Sequence, residues 1–283
     1  MRKQSLFRSW LQRTKIYIIV VFFAFWQFIV PIPTANADFS SPAFACDGSF
    51  FQLRTPAAGN TLLNRLTFDD AGVLTEDVIA TLSPAITAAN GLGYNPTDGY
   101  LYAFITTSNG GADWHLFRID NAGNTTDVGL VNNLATLGKK IIAGATFRED
   151  GQMYAVLRDN TTDQETVLAT IDVSTMTATG VNMTQAIPQG DLAIDPTSGV
   201  LYSVASANDL PIYTIDPISG VVTTIGNTSF AAGSAYFDTA GNLYAGTSTK
   251  MYAVNKITGV FNQIGSGGTA GVNDGASCAF SPR

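Results

Sequence analysis

The stretch Gly93-Tyr94-Asn95-Pro96-Thr97-Asp98-Gly99-Tyr100-Leu101-Tyr102 reads as the end of one β-strand, a tight turn and the start of a second strand. Glycine tolerates the positive φ that such turns use, and proline presets its own φ. Leu101 and Tyr102 suit a pleated, half-buried surface. The same grammar returns as Phe147-Arg148-Glu149-Asp150-Gly151-Gln152-Met153-Tyr154, as Ile194-Asp195-Pro196-Thr197-Ser198-Gly199-Val200-Leu201-Tyr202, and as Phe237-Asp238-Thr239-Ala240-Gly241-Asn242-Leu243-Tyr244. The closing tyrosines are 52, 48 and 42 residues apart. Repeats of this length, built of strands and turns, are the signature of propeller blades.

Two further strands follow each hairpin. The third ends in a repeated tail: Leu116 to Asp120, Leu168 to Asp172, Ile212 to Asp216 and Met251 to Asn255. The closing Asp or Asn can accept from the backbone just after it and so start a turn. The fourth strands, Thr125 to Leu130, Thr177 to Val181, Val221 to Ile225 and Val260 to Ile264, are polar and alternating, as an outer strand with one wet face requires. The first strands, such as Gly91 to Tyr94, Gly144 to Phe147, Asp191 to Ile194 and Ser234 to Phe237, mix small and apolar residues, which suits crowding around an axis.

A fifth unit is split across the termini. Gly275-Ala276-Ser277-Cys278 aligns with the innermost strands, and Asp47-Gly48-Ser49-Phe50-Phe51 aligns with the turn and second strand. Arg65 to Asp69 and Val73 to Leu82 supply the third and fourth. The expected fold is therefore all-β, a five-bladed β-propeller closed by pairing of the C-terminal strand with the N-terminal blade. Closure removes exposed sheet edges. Cys46 and Cys278, the two cysteines of the chain, fall at that closure. They are expected to form a disulfide, as a pair in an oxidising compartment does.

The first 37 residues read as a secretory signal peptide. Arg2, Lys3, Arg8, Arg13 and Lys15 precede an apolar run from Ile16 to Val30, and Ala35-Asn36-Ala37 is a small-residue cleavage pattern. The run is shorter than the roughly 20 residues of a spanning helix. Residues 38–283 are then a single propeller domain, secreted to the periplasm or the exterior, without membrane insertion after cleavage and expected to be a monomer. This domain keeps ten basic and twenty-two acidic residues, a formal charge of −12. Such a surface repels phosphate backbones and argues against nucleic acid as a partner.

The segments Cys46 to Gln52, Gly93 to Tyr102, Asp191 to Pro196 and Asp274 to Cys278 together resemble a family of bacterial secreted and surface propeller-like domains of unknown function. The resemblance spans essentially all of the domain after the signal peptide. It implies an extracellular bacterial protein with a closed β-ring, and it brings no catalytic residues with it.

Candidate site residues follow from topology. Turns between strands one and two, and between three and four, share one rim and are short and repetitive. Loops between strands two and three share the other rim with the blade junctions, and they vary as binding loops do: Ser108 to Asp113, Asp159 to Glu165, Asn132 to Lys140 and Ser266 to Asn273. Asn90, Asp191 and Asp274 stand where innermost strands begin, at the channel mouth. Their oxygens would suit a polar ligand or Ca²⁺, with Asp191 and Asp274 the candidate metal ligands. The alternative is that they cap local N–H groups, and Ala143 and Gly233 leave the oxygen ring incomplete. Trp114 offers a stacking platform for a sugar or an anchor for a protein, or else packing between blades. His115, the single histidine, stands beside it. The leading expectation is a non-catalytic module that binds a glycan or an extracellular protein, with no cofactor. The second is a polysaccharide-active glycoside hydrolase using Asp191 and Asp274 as its carboxyl pair. The third is a structural surface protein with no small ligand.

Overall fold

The computed structural model describes residues 42–280 except 57–58, 69–73, 87–88, 107–111, 138–140, 160, 163, 206–210, 228 and 267–270. The chain divides into two units, Met1–Ser40 and Ser41–Arg283, and the described residues belong to the second. The expected signal peptide, residues 1–37, lies outside the described residues.

The first blade contributes β1 (Phe50–Thr55), β2 (Leu62–Phe68) and β3 (Leu74–Thr81). The second holds β4 (Ala89–Tyr94), β5 (Leu101–Thr106), β6 (Ala112–Ile119) and β7 (Thr125–Leu130). The third holds β8 (Ile141–Phe147), β9 (Gln152–Asp159), β10 (Gln164–Asp172) and β11 (Thr177–Pro188). The fourth holds β12 (Gly190–Ile194), β13 (Leu201–Ala205), β14 (Pro211–Ile215) and β15 (Val222–Asn227). The fifth holds β16 (Ser234–Phe237), β17 (Leu243–Gly246), β18 (Lys250–Val254) and β19 (Phe261–Ser266). The last strand, β20 (Gly271–Ser277), pairs antiparallel with β1 from Phe50↔Ser277 to Thr55↔Gly271 and completes the first blade. The result is a five-bladed β-propeller closed by its terminal strand, with β20, β4, β8, β12 and β16 innermost.

Burial explains the pattern. Every residue of β12 and of β16 is buried, while β15 and β19 alternate with exposed polar positions. The apolar core lies as clusters between neighbouring blades. One joins Tyr102, Phe104, Phe147 and Met153; another stacks Phe50 on Tyr236 with ring centroids 4.7 Å apart. Small residues on the innermost strands let these rings in: a Cβ on Gly275 would stand 2.7 Å from the Tyr236 ring. An outer seam ties the first four blades, each to the next, through the three-to-four turn. The Ser83 N–H donates to the Gly123 carbonyl, and the Thr125 N–H returns to Ser83. Asn132 does the same with Met176 and Ala178, and Thr184 with Gly220.

Several boundaries differ from the sequence expectation. Strand β11 runs on to Pro188 because Met183 and Ile187 are buried, and Thr184 accepts the Val222 N–H from the next blade. Its partner β10 begins at Gln164, so Glu165 stands in a strand instead of a loop. Strand β20 begins at Gly271, inside the expected junction from Ser266 to Asn273. The junction from Asn132 carries a short 3-10 turn, Leu134–Leu137, anchored by buried Leu134.

The segment from Pro42 to Cys46 lies across the turn rim of the second blade. The Phe44 N–H donates to the Gly99 carbonyl, and the Asn121 N–H donates to Pro42. The Phe44 ring is buried against Phe51, centroids 4.8 Å apart. Cys46 at the end of this strap is disulfide-bonded to Cys278, just past β20, with Cα atoms 5.4 Å apart.

Candidate functional site

The turn rim is built from side chains that satisfy their own backbone. Asn95 Oδ1 accepts from the N–H and hydroxyl of Thr97, and Asp195 Oδ1 repeats the pattern at Thr197. Asp120, Asp216, Asp238 and Asn255 do likewise two residues on. Asp195 also holds Lys256 of the neighbouring blade, Nζ to Oδ2 2.6 Å. Burial pushes its carboxyl up, but Lys256, Thr197 and Ser198 together hold it below the usual carboxylate range. These groups are saturated by short-range partners, as turn scaffolds are.

The structure brings Asp191 and Asp274 together at the ring axis. They are 3% and 0% exposed. Asp191 sits on β12, where Oδ1 accepts the N–H of Leu192 at 2.7 Å. Its Oδ2 accepts from Ala235 on β16 at 2.7 Å and from Gly275 on β20 at 3.1 Å. Asp274 on β20 accepts the N–H of Leu92 on β4 at 2.7 Å through Oδ2, and the Gly275 N–H at 2.8 Å through Oδ1. Burial raises the Asp191 carboxyl far above its ordinary range, and the charge of Asp274 adds to this. Burial likewise pushes Asp274 up to about 7. Two carboxyls this close and this buried favour holding a proton between them.

Asn90, on β4, turns back on its own strand, with Oδ1 accepting the Gly91 N–H at 3.1 Å. Trp114 and His115 stand elsewhere, on the third strand of the second blade. Trp114 is half-buried against the cluster of Tyr102 and Phe147, at φ 65°, a left-handed conformation unusual for a bulky residue. Its carbonyl accepts the Val131 N–H at 2.9 Å. His115 Nδ1 pairs with Asp127 of β7 at 2.9 Å on the exposed face. Loop residues 107–111 between Trp114 and β5 lie outside the described residues. Among the described residues no group of three or more His, Cys, Asp or Glu is arranged to hold a metal ion.

A further buried acid is not legible in the sequence. Glu165 is fully buried, and Oε1 accepts the N–H of Gly190 in the next blade at 2.9 Å. Its Oε2 has no hydrogen-bond partner among the described residues. Burial raises its carboxyl well above the ordinary range, against the opposing charge of Arg158. Buried Arg54 pairs with partly exposed Glu76 in the first blade, Nε to Oε1 2.6 Å, and also reaches the Ser248 carbonyl of the fifth blade. Beside the axis, Gln52 donates to the Ser234 hydroxyl at 3.1 Å, next to Tyr236.

Known structures of similar fold include three bacterial proteins. The TolB structure from Acinetobacter baumannii is 14% identical, with 77% of this chain and 53% of that one covered and a TM-score of 0.47; this chain thus spans about half its length. Virginiamycin B lyase from Staphylococcus aureus is 13% identical over 77% of this chain and 70% of that one, TM-score 0.42. XC5397 from Xanthomonas campestris, a gluconolactonase, is 12% identical over 79% and 78%, TM-score 0.51. At such identities the likeness is one of fold alone. No curated protein matches the chain in sequence. Residues 51–280, which run from β1 past the closing strand, match the family described as Repeat of unknown function (DUF6923), and the chain belongs to that family.

Proposed function

We propose that the protein is a secreted, non-catalytic recognition module. Its ligand, a glycan or an extracellular protein, docks on the rim that carries the two-to-three loops and the blade junctions. The observation that carries this reading is the contrast between the rims. The turn rim is saturated by its own Asx contacts, and the strap from Pro42 to Cys46 lies across part of it. A rigid scaffold of this kind leaves variable loops to do the recognition. The disulfide agrees with an oxidising compartment.

The non-catalytic reading gains support at the axis. Each oxygen of Asp191 and of Asp274 already accepts a backbone N–H, and both groups are closed to solvent. A glycosidase needs its two carboxyls on either side of a bond that substrate can reach. Glycan-array binding and affinity capture with residues 38–283 test the proposal. Retention of a glycan or protein without product release is expected. Release of new reducing ends from a polysaccharide would assign hydrolysis instead.

A second reading has its own observation. Ile218 and Ile257 are 85% and 79% exposed at equivalent places in the three-to-four turns of neighbouring blades, each followed by an exposed valine, Val221 and Val260. Repeated apolar tips on an acidic surface suit a protein partner. This is the surface-protein reading, with contact through the turn rim. Loss of self-association or of partner capture on changing both isoleucines to aspartate is its test.

A further inference from the structure

The innermost strand of each blade has one edge with no further strand to pair with. The N–H groups on that edge, about every second one, therefore point at the axis, and a buried N–H needs an acceptor. In this ring four of the five innermost strands send a donor to the same place. They are Leu92 on β4, Leu192 on β12, Ala235 on β16 and Gly275 on β20. The fifth, β8, contributes room instead. A Cβ on Gly144 would stand 2.9 Å from Asp191 Oδ1. Convergent backbone N–H groups form a concavity that favours negative charge and oxygen acceptors. A cation placed there would meet the positive ends of the same dipoles.

We propose that the axis of the ring is a carboxylate-binding cradle made of backbone N–H groups, which the chain fills with its own Asp191 and Asp274 side chains. The chemical class it takes is a small monocarboxylic acid or its anion. Asp191 is the central occupant, since its carboxyl reaches three blades while Asp274 reaches two. Glycine stands at the corresponding places on β4, β8 and β20, at Gly91, Gly144 and Gly275. Removing the Asp191 side chain thus leaves a space the size of the carboxyl, lined by donors. This inference is independent of the rim chosen for recognition.

The test is Asp191→Gly with formate as probe. The variant strands the buried N–H groups of Leu192 and Ala235, while Gly275 keeps Asp274 Oδ1, so its Tm is expected to fall by about 10 °C. Formate should raise that Tm in a saturable way, with sodium chloride of equal ionic strength giving no such rise. Wild-type protein should not respond, because its cradle is full. A crystal structure of the variant in formate should show the anion within hydrogen-bond distance of the Ala235 and Gly275 nitrogens. If the variant does not fold in chloride, refolding in formate is the readout, and recovery of native circular dichroism is expected. A variant that melts with wild type overturns the proposal. So does formate that moves both proteins equally, or failure to refold in either salt.

Discussion

The Cα atoms of Cys46 and Cys278 stand 5.4 Å apart although 232 residues separate them in sequence. The bond joins the strap to the end of β20, beside a strand pair that already closes the ring. Its two roles can be separated. The ladder from Phe50↔Ser277 to Thr55↔Gly271 keeps the sheet continuous, whereas the disulfide limits the unfolded chain. The chain-entropy relation gives an upper value of about 5 kcal/mol for a loop of this length. Reduction, or Cys46→Ser with Cys278→Ser, is expected to lower stability by up to that amount in urea titration while leaving far-ultraviolet circular dichroism native. A change of β-signature on reduction would mean that the bond, and not the ladder, holds the ring shut.

Deletion of residues 271–283 removes β20 and bares the β1 edge. An unpaired strand edge is a template for association. The truncated protein is expected to aggregate at concentrations where the full chain is soluble, which light scattering reads directly. A monodisperse truncated chain would show that the edge is protected by another contact.

Blade grammar was legible because its signals are local. Asn95, Asp195, Asp216 and Asn255 accept donors two residues away, so a turn announces itself within one short window. Closure was legible because Cys278 falls in line with Tyr94, Phe147 and Ile194. The strap from Pro42 to Cys46 was not, because what holds it is distant in sequence: backbone groups of Gly99 and Asn121, the Asn121 amide and the Tyr94 hydroxyl. Glu165 reads as a loop residue in the sequence, because its partner, Gly190, belongs to the next blade. For Asp191 and Asp274 the residues allowed both a cap and a ligand site. Which role the geometry favours depends on how tightly five strands crowd the axis, and that is a property of the closed ring.

Gly144 and Gly199 separate two causes of glycine preference. Around Gly144 a Cβ would lie 2.8 Å from the Leu192 nitrogen and 3.0 Å from the Asp191 Cα, which are backbone atoms of the next blade. Gly144→Ala must push two innermost strands apart and is expected to cost about 3 kcal/mol. Gly199 has φ +72° and nothing within 4 Å of a Cβ. Gly199→Ala carries only the left-handed penalty, about 1 kcal/mol. Equal losses in urea titration would refute the crowding argument.

The pH dependence of stability should carry the mark of Glu165. Its carboxyl is raised in the folded chain by burial, with Arg158 opposing. A raised acid keeps its proton in the native state after the unfolded chain has lost it. Stability is then undiminished below the ordinary carboxylate range and falls as pH rises through it toward the folded value. Glu165→Gln keeps an oxygen for the Gly190 N–H and cannot ionise. The variant is expected to melt with wild type at pH 4 and above it at pH 8. A variant less stable than wild type at pH 8 would mean that Glu165 is ionised there and paired with Arg158.

The choice of rim can be read from one fluorophore. Trp10 and Trp26 lie in the expected signal peptide, so Trp114 is the single tryptophan of residues 38–283. It lies near the start of the third strand of its blade, toward the loop rim, half-buried and held at φ 65°. A ligand on that rim should shift its emission, whereas contact at Ile218 and Ile257 on the opposite rim should leave it unmoved. Trp114→Ala gives up part of a core contact and is expected to cost about 2 kcal/mol in stability. Binding is therefore compared well below both melting temperatures, where each protein is folded. Under those conditions Trp114→Ala should weaken binding, and Ile218→Asp with Ile257→Asp should leave it unchanged. The reverse pattern, an unmoved tryptophan and binding lost with the two isoleucines, would assign recognition to the turn rim and leave Trp114 as packing between blades.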